Sequence, residues 1–201
     1  SSQWFLDGKL NVSYNCIDRH IQTNPDKTAI IWERDEITHE SQHISYQELG
    51  DKVAKIANVL MSNGVKKGDV VTIYMPMVPE LPMTMLACAR IGAVHSIVFA
   101  GFSAEALQSR LEDCNSQFLI VHDIGIRGGK ITPLLDITQK ALHAMNKKPL
   151  LLLWGNVQED PSYIALETAL ESAESTCPCE WMDSEDPLFI LYTSGSTGKP
   201  K

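Results

Sequence analysis

The chain has 201 residues with 44% apolar side chains, enough for one or two globular domains around a packed core. Its formal charge of −8 argues against a nucleic-acid partner, which needs a basic surface. No stretch approaches the roughly 20 apolar residues of a membrane-spanning helix, and no basic-plus-apolar signal segment opens the chain, so a cytoplasmic protein without a membrane partner is expected.

Residues 1–66 read as an N-terminal helical and strand segment. Within it Ser45-Tyr-Gln-Glu48 forms a capping box, after which Leu49, Val53, Ile56, Ala57 and Leu60 fall on one helical face until Asn63-Gly64 ends the run. Residues 67–155 then alternate. A strand is expected over Val70–Met75, a helix from Pro79 to Ile91, a strand over Ser96–Phe99 and a helix from Ser103 to Cys114. A strand over Phe118–Val121, a helix from Pro133 to Met145 and a strand over Leu150–Trp154 complete the run. Ser103 is a helix cap with Glu105 in the first turn, and Thr132-Pro133 reads as a cap followed by proline. Continuous apolar strands separated by helices predict an α/β fold, a doubly wound, mostly parallel sheet with helices on both faces.

A connector, 156–187, is expected to hold a helix from about Ser162 to Ala173 capped by Asp160-Pro161, then a polar, proline-bearing link. Residues 188–201 read as a buried strand, Leu188-Phe-Ile-Leu191, followed by a phosphate-binding loop. Gly195 and Gly198 allow close backbone approach to a polyphosphate. Ser194, Ser196 and Thr197 offer hydroxyls, and Lys199 offers a point charge. Only two residues separate the glycines, and Pro200 stands where a Walker A loop has its magnesium-binding hydroxyl, so the loop should wrap phosphates as a flap.

A second candidate site is Asp123-Ile-Gly-Ile-Arg-Gly-Gly-Lys130, which leaves the carboxyl end of a strand, where open parallel sheets collect ligands. Gly128 and Gly129 make a compact turn that can present Arg127 and Lys130 to one phosphate, with free backbone N–H groups beside them. A solvated basic turn has the same spacing. Met83, Met85, Leu86 and Ile91 are read as helix packing. The five cysteines are scattered, as in a reducing compartment. Cys177-Pro-Cys179 lacks the second pair of ligands that a zinc site requires, and no metal site is assigned. The six histidines are dispersed and read as structural.

The string Tyr192-Thr-Ser-Gly-Ser-Thr-Gly-Lys-Pro-Lys201 resembles the signature loop of the adenylate-forming superfamily, which includes acyl-CoA synthetases, luciferases and peptide-synthetase adenylation domains. Leu10–His20, Val71–Glu80, Leu86–His95, Phe99–Leu107 and Trp181–Pro187 resemble its acetyl-CoA synthetase branch, the AMP-forming acetate–CoA ligases, and the likeness weakens over Glu33–His43 and Met145–Cys179. The resemblance implies an incomplete N-terminal portion of the large AMP-binding domain, inactive without the downstream part of its own chain. It implies acetate, ATP with Mg2+, and coenzyme A as small-molecule substrates and cofactors. Thr193 to Lys199 would hold the ATP phosphates, and Arg127, Gly128, Gly129 and Lys130 would meet the coenzyme A nucleotide. No catalytic residue is assigned within the chain. Two other readings stand beside this one: another short-chain enzyme such as a propionyl-CoA synthetase, and a non-catalytic nucleotide-binding module. A sheet without its later strands should also leave an apolar edge uncovered.

Overall fold

The computed structural model describes residues 4–35 and 40–193. The chain starts with the two-residue strand β1 (Lys9–Leu10), a π-helical turn (Tyr14–Asp18) and the single turn α1 (Arg19–Ile21). An antiparallel pair, β2 (Thr28–Trp32) and β3 (Gln42–Ser45), feeds directly into α2 (Tyr46–Ser62). The capping box forms as expected. Glu48 N–H donates to Ser45 Oγ at 3.2 Å, and Ser45 N–H donates to Glu48 Oε2 at 2.7 Å. All five residues of the expected apolar face are buried.

The alternating part runs β4 (Val70–Met75), α3 (Glu80–Arg90), β5 (Val94–Phe99), α4 (Ala104–Asp113) and β6 (Phe118–His122). It continues through an antiparallel hairpin, β7 (Gly125–Arg127) and β8 (Lys130–Thr132), to α5 (Leu134–His143) and β9 (Leu150–Trp154). Then come β10 (Ile164–Ala165), α6 (Leu166–Glu171), β11 (Met182–Asp183) and β12 (Phe189–Ile190). Six strands form one parallel sheet in the order β10-β9-β6-β4-β5-β12. The short strands β1 and β11 pair separately, antiparallel.

The two faces of the sheet bury two different sets of residues, as period-two strands with both sides covered must. Val71 and Ile73 of β4, Ile120 of β6 and Leu152 of β9 pack with Val53, Ile56 and Leu60 of α2, Ala87 of α3 and Leu170 of α6. Tyr74, Leu119, Val121 and Leu153 point the other way, against Leu107 and Leu111 of α4 and Leu134 and Ala141 of α5. Helices therefore wind on both faces. β5 and β6 lie on opposite sides of β4, so the strand order reverses between β4 and β6, and the crevice of such a reversal opens at their carboxyl ends, beside Met75 and His122. Among the described residues no helix is long and apolar enough to cross a membrane.

Three local expectations are corrected. The helix expected from Ser162 is only Leu166–Glu171, because Ile164 and Ala165 pair with Leu152 and Leu153, a long-range ladder that competes with helical periodicity. Asp160 caps nothing there and instead accepts from Ser162 N–H at 2.8 Å, closing a tight turn. Thr132 is drawn into β8, leaving Pro133 at the start of α5 without a side-chain cap. The last strand is not buried. Only Phe189 and Ile190 pair, with His95 and Ser96 of β5, and as an edge strand it leaves Phe189 53% and Leu191 56% exposed. Phe99 beside it is also exposed, so the sheet does present an uncovered apolar edge.

Candidate functional site

The stretch expected to be a basic loop is a regular hairpin. Arg127 and Lys130 are register partners across the two-residue turn Gly128-Gly129, whose φ angles are +58° and +72°. A two-residue hairpin turn with positive φ at both positions favours glycine twice, and its twist keeps the flanking cations side by side. Sequence reasoning had the turn and its residues but not the strands around it. Neither Ile126 nor Ile131 is buried, so the arm is held by its ladder and its root.

That root lies at the carboxyl end of β6. Asp123 N–H donates to the Trp154 carbonyl at 2.9 Å, and the Asp123 carbonyl accepts from Leu135 N–H at 3.0 Å, tying the hairpin to β9 and α5. The Asp123 carboxylate accepts from Ile124 N–H at 2.7 Å. His122 Nδ1 also lies 2.7 Å from Asp123 Oδ1, but off the direction of a hydrogen bond. Gly155, at φ +113°, passes directly over this carboxylate, and a Cβ there would collide with it. Gly125 is close-packed as well, since a Cβ would sit 3.4 Å from Leu134 and 3.5 Å from Pro76.

A partner that sequence reasoning missed reaches the turn from the β2–β3 pair. Gly129 N–H donates to Asp35 Oδ2 at 3.0 Å. The backbone N–H groups of Gly128 and Gly129, with Arg127 nearby, hold the Asp35 carboxyl below the usual carboxylate range. One of the N–H groups expected to be free is therefore taken by the chain's own carboxylate. Trp32 Nε1–H donates to the Met77 carbonyl at 2.9 Å, and the Arg34 guanidinium lies 4.9 Å from the Trp32 ring centre, which brings this arm over the carboxyl end of β4. The only sequence signal was negative: Asp35 falls where the resemblance fades.

Of the expected phosphate loop, Thr193 is described and exposed. Ser194, Gly195, Ser196, Thr197, Gly198 and Lys199 lie outside the described residues. The residue before Thr193 is firmly placed. Tyr192 O–H donates to Asp113 Oδ2 at 2.6 Å, and the Arg110 guanidinium lies 5.4 Å from the Tyr192 ring centre and 4.6 Å from that of Phe102.

The cysteine pair belongs to a different part of the molecule. Arg90, at the end of α3 and 8% exposed, forms a two-pronged ion pair with Asp18, both bonds 2.8 Å, and donates through Nε to the Cys177 carbonyl. Asn11 amide N–H groups donate to the carbonyls of Ala89, Arg90 and Glu180. Burial raises the Cys177 thiol and pushes Cys179 up to about 11, away from the thiolate form that reactive cysteines need. Among the described residues no three His, Cys, Asp or Glu side chains are grouped to hold a metal. His95 is 6% exposed, stacked on Phe189 with ring centres 5.8 Å apart, and burial lowers its pKa to about 4.

The profile of the AMP-binding enzyme family matches residues 17–201. The acetyl-coenzyme A synthetase of Sinorhizobium fredii is 55% identical over 100% of this chain, and that of Halorhodospira halophila is 52% identical over 99%. Acetyl-coenzyme A synthetase 2 of Pseudomonas aeruginosa is 50% identical over 98% of the chain. The chain spans about a third of the length of these relatives, 32%, 32% and 31% respectively. A crystal structure of an acyl-CoA synthetase from Brucella canis shares the fold, with a TM-score of 0.79 and 23% identity over 97% of this chain and 33% of its own. With a family match that takes in the sheet, the hairpin and the terminal glycine-rich segment alike, this chain belongs to the AMP-binding enzyme family.

Proposed function

We propose that the protein containing this chain activates acetate with ATP and transfers the acetyl group to coenzyme A. The observation that carries the reading is the 55% identity to an acetyl-coenzyme A synthetase along the whole chain, hairpin and terminal loop included. In the first half-reaction a carboxylate oxygen of acetate bonds to the α-phosphorus of ATP, and the bond to the β-phosphate breaks to release pyrophosphate. In the second, the sulfur of coenzyme A bonds to the acetyl carbon, the bond from that carbon to the phosphate oxygen breaks so that AMP leaves with the oxygen, and the thiol proton passes to solvent.

Phosphate-transfer chemistry of this kind depends on placing the reactants and neutralising the leaving group. Thr193 to Lys199 are proposed to hold the β- and γ-phosphates, with Lys199 stabilising pyrophosphate as it departs. Magnesium would arrive on the nucleotide. Arg127 and Lys130, side by side on the hairpin, are proposed to take a phosphate of the coenzyme A nucleotide at the crevice. Arg127 can offer a fork of donors and Lys130 a point charge.

The test is exchange of labelled pyrophosphate into ATP by the full-length protein, with acetate, propionate and butyrate compared. Strong preference for acetate is expected. A preference for propionate would move the reading to a neighbouring synthetase, and no exchange with any short carboxylate would leave a nucleotide-binding module. The 201-residue chain alone is expected to form no AMP from acetate, coenzyme A and ATP.

A further inference from the structure

The sheet loses its hold on the chain just before the glycine-rich segment. β12 pairs with β5 through two residues only, Phe189 with His95 and Ile190 with Ser96. Leu191 is exposed and takes no part in that pairing, so the two-residue ladder does not by itself fix the chain at Tyr192. The anchor is Tyr192, whose hydroxyl reaches Asp113 at 2.6 Å, 79 positions earlier in the chain.

Asp113 is the last residue of α4, where the negative end of the helix dipole disfavours a carboxylate. Its acceptor oxygen is turned to Tyr192, a charge-assisted bond of the short, directional kind. Arg110, one turn earlier on the same helix, lies over the Tyr192 ring and the Phe102 ring and donates to the Ala106 carbonyl at 2.9 Å. Both features fix the ring against the C-terminal half of α4. Burial first, and the Asp113 hydrogen bond second, raise the phenol well above its ordinary range, so the proton stays on Tyr192 as donor.

We infer that Tyr192, seated on Asp113 and Arg110, is a positioning residue that sets where the phosphate-binding segment leaves the sheet, and so tunes affinity for the polyphosphate of ATP. The inference rests on the reading of Ser194 to Lys199 as the ATP phosphate loop given under Proposed function. Tyr192 does not touch the reacting atoms in this scheme. It acts through the backbone that follows it, α4 serving as the fixed post.

The test uses the full-length protein with Tyr192→Phe, which deletes one oxygen, Asp113→Ala, which removes the acceptor while keeping a good helix former, and the double variant. Each single change is expected to raise KM for MgATP about fivefold, with KM for acetate and Tm close to wild type. The double change should cost no more than either alone, since both remove one contact. KM for MgATP within twofold of wild type in both variants would overturn the inference. So would parallel losses in acetate KM and Tm, which would mark a contact that only supports the fold. If the wild-type protein exchanges pyrophosphate with no carboxylate, the functional reading falls, and direct titration with MgATP then decides the positioning. Weaker binding by Tyr192→Phe supports it, and equal binding, or none by either protein, overturns it.

Discussion

The two ends of the sheet are built on opposite plans. Near the amino ends of the strands, the N-terminal segment, the end of α3 and residues 177–186 are tied by buried polar groups. Arg90 is paired twice with Asp18, Asn11 spans three carbonyls, and Glu180 N–H donates to the Arg90 carbonyl at 2.8 Å. At the carboxyl end, the hairpin of β7 and β8 stands out with both isoleucines unburied, steadied at its tip by the Asp35 carboxylate. Segments joined at the first end are far apart in sequence and fixed by partners that cannot be exchanged cheaply. The second end leaves Arg127 and Lys130 exposed, where a deep buried network would have consumed their charges.

The largest test of that contrast is Asp18→Ala. It leaves the Arg90 guanidinium buried without its counter-charge and is expected to cost roughly 3 kcal/mol or more in urea unfolding. A loss below about 1 kcal/mol would show the clasp to be a surface pair in effect.

His95 offers a second test, through pH. Its pKa is about 4 in the fold against about 6.5 unfolded, so the folded state binds the proton less well. Stability from this group is whole above pH 6.5 and falls, by on the order of 3 kcal/mol, as pH drops towards 4. His95→Phe should flatten that limb of the Tm profile between pH 7 and 4. A profile with the same slope in the variant would assign the acid loss to other groups.

At the other end the expected effects are on binding. Arg127→Ala should weaken coenzyme A binding by the full-length protein about tenfold, read by calorimetry, and leave Tm unmoved because the side chain supports no packing. A fall in Tm with unchanged affinity would invert the comparison. Smallest is Asp35→Asn. Removing the negative charge from the glycine turn is expected to tighten coenzyme A binding about twofold at low salt, an advantage that fades as salt rises.

Where stabilising interactions are local, the sequence is readable. β4 and β9 run from the residue to the residue that their apolar stretches predict, and α2 and α4 start at Ser45 and Ser103, whose hydroxyls accept from Glu48 and Ala106 N–H. The π-helical turn at Tyr14–Asp18 has no periodicity to announce it. Strand β10 exists only because β9 lies beside it, which a window over Ser162–Ala173 cannot contain. Around the candidate site, the tight turn in Arg127-Gly-Gly-Lys130 was legible because its turn chemistry is local. Asp35 at the tip, Asp113 under Tyr192 and Asp18 beneath Arg90 were not, since each carboxylate meets a partner between 72 and 94 positions away.

Gly155 gives the hairpin its direction. The space that its missing side chain leaves is filled by the carboxylate of Asp123, the residue from which the arm springs. An arm of three residues beyond that pivot is about 10 Å long, so it works as a lever: a small rotation at the root is carried to the cations as a displacement that grows with the length of the arm. A methyl group at position 155 would touch no ligand and remove no charge. It would displace the Asp123 carboxylate and with it the direction in which the hairpin carries Arg127 and Lys130, so the aim of these two cations is set by a crowded glycine beneath them.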